Sequence, residues 1–454
     1  MRSWEIYNLK KDELAKSLGS TSGSVSLEKK TSNLFRKRAQ SDTHKLDVRD
    51  FHGVIEVSVA QQTVDVMGMT RFDELVDETL QFNFMPAVVP QLRSITIGGA
   101  ISGLGIESSS WKYGLVHETI LEIDVLLPDG KIVTATATND YSDLFFGIPN
   151  SFGTLGYVVR AKLQIFPVKP YVKLSHYGFT DKQELFLAIE SIGKYGSYKS
   201  GSVDFLDGVA FNAQENYLTV GQFSDSAPNI SDYTYLKMYF KSIQNRKTDY
   251  LSIKDYIWRW DTDWFWCSKN IPGAQNKLLR LIFGKLYLRS TFYSRLMAIE
   301  NRYSVIEKFY RYTGQKAPQI ETIIQDVEIP IENCAKFLEF FQKNIGIEPV
   351  WLCPLRSFDP NRTYPMYSLR NNQTYVNFGF WDSIPSDKAD AYYNRLIEGK
   401  VEELGGHKSL YSTSYYTKEK FWQLYNGNVY HKLKEKYDPK SRLKNLYDKT
   451  VNNL

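Results

Sequence analysis

Cysteine is almost missing. Three thiols, Cys267, Cys334 and Cys353, serve 454 residues, and no two are close enough to read as a CxxC pair. That spacing excludes a disulfide framework and a zinc site, and it fits a reducing compartment. No metal is expected. Long apolar runs are missing as well: nothing approaches the roughly 18 residues a spanning helix needs. The opening "MRSWEIYNLKKDELAKSLGS" has no apolar core of the signal-peptide kind. A cytoplasmic protein is therefore expected. The charge excess is only +5, which argues against a dedicated nucleic-acid binder. No internal repeat and no low-complexity tract is present.

What the chain does have is apolar and aromatic mass, 43% and 15% of its residues, enough for sizeable cores. Its length suggests two domains. "GVIEVSV" and "QTVDVMGM" (Gly53 to Met69) read as adjacent strands. In "TRFDELVDETLQFN", Thr70 is the expected cap, and Phe72, Leu75, Val76 and Leu80 recur at helical spacing. Two more strands flank the turn at Pro128 to Gly130, and "FGTLGYVVRAKLQIFPV" reads as another. Further on, "PVWLCPL" and "YVNFGFW" read as strands, and "TKEKFWQLYNGNVYHKLKEKYDP" as helices. The class is α+β.

Glycine is concentrated where a chain between strands should not need it. "GGAISGLGIESSSWKYG" (Gly98 to Gly114) holds five glycines and four serines in seventeen residues. Glycine permits close approach to a ligand, and exposed amides with serine hydroxyls make an anion-binding concavity. The segment lacks the lysine of a P-loop, and Gly103-Leu104-Gly105-Ile106-Glu107-Ser108 lacks the third glycine of a dinucleotide fingerprint. On the residues alone, a phosphate site and a ligand-free loop both stay open.

"PQLRSITIGGAISGLGIESSSWKYGL", with "DLFFGIPNSFGTLGYVVRAKLQIFPVKPYVKL" some forty residues later, resembles the PCMH-type FAD-binding domain of the vanillyl-alcohol-oxidase superfamily of flavoenzymes. Within it the chain is similar to the delta(24)-sterol reductase group and its bacterial relatives that reduce methylene-branched fatty acyl chains. The likeness resumes at "VWLCPL" and "FWQLYNGNVYHKLKEKYDP" and so covers about Thr31 to Leu446. It implies a PCMH-type FAD-binding domain over 1–170, a cap or substrate domain over 171–425, and a C-terminal segment, 426–454, that returns to the flavin.

The resemblance also implies which residues face FAD: Thr96, Ile97, Gly98, Gly99, Gly103, Gly105, Ser108 and Ser109, joined by Gly114, Gly153, Thr154 and Gly156. Glu107 reads either as part of that site or as a local turn contact. The superfamily's first phosphate loop is usually glycine-rich, whereas "KKTSNLFRKR" (Lys29 to Arg38) has no glycine and offers Thr31, Ser32 and Asn33. No histidine lies between His52 and His117, so non-covalent FAD is expected. NADPH is the usual reductant; no second nucleotide fold is visible, so either NADPH visits the flavin transiently or another protein supplies the electrons.

The implied activity is reduction of a carbon–carbon double bond in a lipid, either a methylene-branched fatty acyl phospholipid or a sterol side chain. The alkene is protonated and hydride comes from flavin N5. Two alternatives are kept: an FAD-dependent oxidase or dehydrogenase of an alcohol or sugar, and a lipid-binding protein that has lost FAD. His431, Lys432 and Tyr430 are the implied catalytic groups; as bare sequence they also read as an amphipathic surface helix. Cys353 reads as a small buried hydrophobe.

One segment stands out by composition. Between Leu236 and Met297 lie twelve Lys/Arg against four Asp, and four of the nine tryptophans: Trp258, Trp260, Trp264 and Trp266. Aromatic rings favour the water–lipid boundary and cations favour anionic headgroups. Leu278, Leu281, Ile282, Lys285 and Arg289 add a basic amphipathic pattern. A lipid substrate and peripheral membrane contact are the expected partners; the oligomeric state is not legible.

Overall fold

The computed structural model describes residues 3–30, 35–36, 43–199, 201–271, 273–283, 288–293, 312 and 319–454. Two antiparallel sheets organise the fold. In the first, the strands run in the order Val54–Ser58, Thr63–Met67, Tyr157–Pro167, Ile120–Leu126 and Ile132–Thr136, with Phe84–Pro86 pairing the far half of Tyr157–Pro167. The expected hairpin over 53–69 is present, in register Val57 to Val64 and Ser58 to Thr63. Helix Phe72–Leu80 buries Phe72, Leu75 and Val76 as their spacing predicts; Thr79 is buried with them, while Leu80 is half-buried. Thr70 is not its cap. The helix starts after Arg71, and the Thr70 hydroxyl accepts from the Gly53 amide at 2.8 Å instead. An N-terminal helix, Ser3–Gly19, packs on the outer side of this sheet through Tyr7, Leu14 and Leu18.

The second sheet has eight strands in the order Thr248–Ser252, Tyr171–Phe179, Asn216–Ser224, Phe205–Ala210, Val350–Leu355, Tyr375–Pro385, Ile320–Pro330 and His407–Lys408. Alternation assigns its two faces. Leu206, Leu218, Val220, Leu352, Val376 and Phe378 point to helices Lys182–Tyr195, Cys334–Asn344 and Tyr392–Glu403, forming one core. Val172, Leu174, Phe205, Val209, Trp351 and Cys353 point the other way and share a core with Ile123, Val125 and Leu144 of the first half. The inner face of the second sheet is thus a wall against the first sheet's half. Near the C-terminus, helix Gly427–Tyr437 returns to the first half, where Leu433 packs against Gly147.

The aromatic segment does not lie at the surface. Trp258, Trp260 and Trp266 are essentially fully buried; Trp260 and Trp266 pack with Phe265, and Trp258 lies under the Arg93 guanidinium. Their rings form core between the two halves, which corrects the expectation of an exposed aromatic patch. Arg280 is buried as well: it donates to Asp263 and to the carbonyls of Ala274 and Tyr235. Lys285 lies outside the described residues.

Candidate active site

The glycine-rich segment is not a plain loop. Ile97–Gly103 is a short helix whose Thr96 side chain accepts from the Gly99 amide, and Ser110–Tyr113 adds a second turn. This packs the segment against strand Tyr157–Pro167: a Cβ on Gly98 would stand 2.8 Å from the Val158 carbonyl oxygen. Gly98 and Gly99 then form one wall of a cleft of about 610 Å³. Gly153 and Gly156 form another, both at positive φ (73° and 158°).

The chemistry of that lining fits a dinucleotide. Lys29, Arg36, Lys45, Lys444 and Lys449 line the cleft, with no Asp or Glu among the described lining residues. A diphosphate needs such an excess of cations, and the bare glycine faces admit its backbone. Val25, Leu27, Tyr157 and Val158 supply apolar contact for a ring system. Asn150 Oδ1, Ser151 Oγ and His117 Nδ1 are buried polar atoms without a hydrogen-bond partner among the described residues. His117 and Tyr364 touch at 4.3 Å between ring centres, and Asn150 donates to the Met366 carbonyl. Unpartnered polar atoms in a core are costly and mark a place for a polar ligand. Burial holds His117 neutral, its pKa pushed down to about 3.

The twelve expected FAD residues divide by position. Gly98, Gly99, Gly153 and Gly156 line the cleft. Thr96 caps the short helix, Ile97 is core, and Gly103 lies beneath the Phe152 ring. Gly105 packs on Val116 and Pro90, and Gly114 (φ 70°) on the Glu118 carboxylate. The Thr154 hydroxyl donates to the Ser151 carbonyl at 2.7 Å. Ser108 hydrogen-bonds the Tyr256 hydroxyl and Ser109 donates to the Ala87 carbonyl, so both hydroxyls are committed within the protein. Thr31, Ser32 and Asn33 lie outside the described residues.

The expected catalytic trio is not brought to the cleft. Tyr430 is buried with its hydroxyl accepting from the Leu446 amide. His431 and Lys432 are exposed on the outer face of helix Gly427–Tyr437, the His431 ring resting on Trp422. Helical geometry explains this: Tyr430, Leu433 and Tyr437 form the packed stripe, which leaves 431 and 432 to solvent.

Sequence reasoning missed a row of polar groups on the second sheet, separate from the residues that line the cleft. Cross-strand register aligns ionisable and polar residues across the inner face of the second sheet: His176 opposite Thr219, Thr219 opposite Asp207, Cys353 opposite Asn377, Asn377 opposite Glu328, and Glu328 opposite His407. Gly208 opposite Leu352 sets Asp207 beside Cys353 in the same row. At the centre, Arg259 has a fully buried side chain and bridges Glu107 (2.7 Å) to Asp207 (2.8 Å), which Trp260 also bonds. Glu107 therefore makes a long-range contact as well as local bonds to Ser108 and Ser110, and it ties the glycine segment to the second sheet. Burial, only partly offset by Arg259, pushes its carboxyl upward. Cys353 is buried in the wall and its thiol is raised well above the usual range, so it is no nucleophile.

With this geometry in view, the comparisons are specific. Residues 22–136 match the family model described as "FAD binding domain". The chain is 28% identical to human delta(24)-sterol reductase over 423 residues, 90% of this chain and 78% of that protein. It is 26% identical to the Arabidopsis thaliana delta(24)-sterol reductase over 451 residues, covering 92% and 78%. It is also 29% identical to Arabidopsis thaliana cytokinin dehydrogenase 3, over 154 residues or 34% of this chain. The cleft and these matches define an FAD-dependent oxidoreductase with a PCMH-type FAD-binding domain. Within that class the chain is similar over most of its length to the delta(24)-sterol reductases.

Proposed function

We propose that this enzyme reduces a carbon–carbon double bond in a lipid, a branched fatty acyl chain or a sterol side chain. The observation that carries this reading is the extent of the sterol-reductase likeness. It spans 90% of the chain and so includes the substrate-side sheet, whereas the cytokinin-dehydrogenase likeness covers 34%. Folds are shared among chemistries, but a likeness that includes the substrate wall carries more. Gly98, Gly99, Gly153 and Gly156 would hold the dinucleotide without side-chain obstruction, and the five basic residues would neutralise its diphosphate. We propose that the FAD is held without a covalent bond. FAD, when bound and reduced, supplies hydride. NADPH is the proposed reductant of the cofactor.

The protein's own contribution is an aromatic-lined cavity that we assign to the lipid substrate. A second cavity of about 230 Å³ is lined mainly by apolar groups, among them Phe35, Trp264, Ile271, Tyr293, Ile324 and Trp381. Such rings exclude water and stabilise developing positive charge on a protonated alkene. Among the described residues no helix is long and apolar enough to cross a membrane. Leu278, Leu281 and Ile282 of helix Lys277–Phe283 are 67%, 58% and 68% exposed beside Lys277, and we assign peripheral contact with anionic bilayers to this helix. Incubating the pure protein with NADPH and mixed bacterial or sterol lipids tests the reading. A gain of two hydrogens in one lipid class is expected. Absence of any such gain, with oxidation of an alcohol or sugar instead, would select the dehydrogenase alternative.

A further inference from the structure

The glycine wall at 153–156 belongs to a stretch whose backbone most residues resist. Asn150 and Phe152 stand at φ 62° and 50°, and Gly153 at 73°. A residue with a Cβ keeps the left-handed region only where its surroundings fix it there. Part of that fixing is local. The Thr154 hydroxyl and amide both donate to the Ser151 carbonyl, at 2.7 and 3.0 Å, and the Phe152 amide donates to the Ser102 carbonyl at 2.8 Å. The rest comes from the far end of the chain. Lys434 Nζ donates to the Thr154 carbonyl at 2.8 Å, and Lys449 Nζ donates to the Phe152 carbonyl at 2.6 Å.

Lys434 stands outside the cleft lining, which includes Lys444 and Lys449. Its side chain is 12% exposed, and its ammonium directs its hydrogens into the protein. Besides Thr154, it donates to Asp438 Oδ2 at 2.7 Å and to the Leu443 carbonyl at 2.8 Å, with the Lys444 carbonyl at 3.3 Å. Asp438 is held in turn by the amides of Arg442 and Leu443, each at 2.8 Å. Burial pushes the Lys434 pKa down, and the Asp438 carboxylate opposes that fall.

One ammonium therefore ties the glycine wall to residues 443 and 444, directly before the helix Leu446–Thr450 that carries Lys449. Resting on the reading that FAD fills this cleft, we propose that Lys434 is a positioning residue for the cofactor. It holds the glycine wall at 153–156 and the basic wall at Lys444 and Lys449 at the separation that bound FAD requires, without touching FAD itself. Lys449 acts with it from inside the cleft. A peptide unit is planar, so fixing the Phe152 carbonyl also fixes the direction of the Gly153 amide, which belongs to the cleft wall.

Helical phase singles out this lysine from its neighbours. Lys434 follows Tyr430 by four residues and so shares its face, and the Tyr430 hydroxyl is itself hydrogen-bonded to the Thr154 side chain. Lys432 is exposed, and Lys436 is 53% exposed and pairs with Asp143 at 2.7 Å. The C-terminal segment thus returns to the cofactor wall through Lys434 and Lys449, not through His431 and Lys432.

Lys434→Met keeps the apolar stem and removes the donors. Flavin-loaded parent and variant are equilibrated at graded free FAD, and bound flavin is read by absorbance. The Kd for FAD is expected to rise about tenfold or more, the factor of one charge-assisted hydrogen bond lost from the bound state. At saturating FAD the visible circular dichroism of the bound flavin is expected to change, and hydrogen exchange to quicken in peptides covering 150–156 while the strands of the first sheet stay protected. Lys436→Met removes the same charge from the same helix and is expected to leave the Kd within about twofold of parental. A Kd within about twofold of parental in Lys434→Met overturns the proposal, whatever the loss of stability. An equal rise in both variants also overturns it, since the helix would then act by charge alone. Should Lys434→Met fail to fold, Asp438→Asn decides by the same titration: a rise of about threefold or more supports the proposal, and a parental Kd overturns it. FAD retained by Gly153→Val removes the cleft reading together with this proposal; FAD lost by Gly153→Val but bound with parental affinity by Lys434→Met removes the proposal alone.

Discussion

The two walls of the site are assembled in opposite ways. The cofactor side takes its glycine surfaces from two short stretches, 98–99 and 153–156, held together by one strand, Tyr157–Pro167. The inner face of the second sheet takes one residue from each of many strands, from His176 to His407, so its chemistry exists only as a register. A dinucleotide demands close backbone approach, which glycine encodes locally. A substrate wall demands side chains on one face, which alternation and strand order encode at long range. Arg259 joins the walls by bonding Glu107 of the first and Asp207 of the second.

Breaking the cofactor wall should have the largest effect. Gly153 sits at φ 73° in the cleft, so Gly153→Val brings both strain and an obstructing side chain. Complete loss of flavin after gel filtration is expected, with the circular dichroism of a folded chain. Normal flavin content would show that the cofactor lies elsewhere. Next is the joint. Arg259→Met leaves Glu107 and Asp207 buried without their cation and should cost about 3–5 kcal/mol in urea unfolding. A loss under about 1 kcal/mol would mean that the two walls are held by apolar packing alone.

The substrate wall should show itself in the pH dependence of stability. Glu328 has its folded pKa raised from 4.5 to about 8, so the folded chain binds the extra proton and loses stability as pH rises toward 8. Burial lowers His117, His176 and His407, which act oppositely, removing stability as pH falls below 6.5. Between about pH 6.5 and 8 the acid term therefore stands clear, and Glu328→Gln should flatten a decline of about 2 kcal/mol across it. An unchanged slope would contradict a neutral Glu328. The smallest effect belongs to the surface helix. Lys277→Gln with Leu278→Ser should weaken binding to anionic vesicles by about 1–2 kcal/mol at low salt, read by co-sedimentation. Equal sedimentation would remove the assigned bilayer contact.

Legibility followed the same division. Strands such as 54–58, 63–67, 350–355 and 375–385 announced themselves through alternation and β-rich composition, and the cleft glycines through local density. The Tyr430–His431–Lys432 block drew notice as a cluster of titratable groups, but helical phase turns two of the three outward. The aromatic, basic segment misled for a related reason. Composition cannot distinguish tryptophans that meet lipid from tryptophans that meet each other, and Trp258, Trp260 and Trp266 fill the core between the halves. Glu107, Arg259 and Asp207 were illegible as a unit because they lie on three separate stretches joined only through their side chains.

The most direct test of the whole account is a single reoxidation measurement. The bound flavin is reduced anaerobically with dithionite, which removes any question about NADPH, and a branched alkene lipid or its saturated counterpart is added. The account predicts that the oxidised flavin band returns with the alkene, that it does not return with the saturated lipid, and that the alkene gains two hydrogens. A flavin that stays reduced with every alkene lipid offered, while alcohols or sugars reduce the oxidised protein, would contradict it.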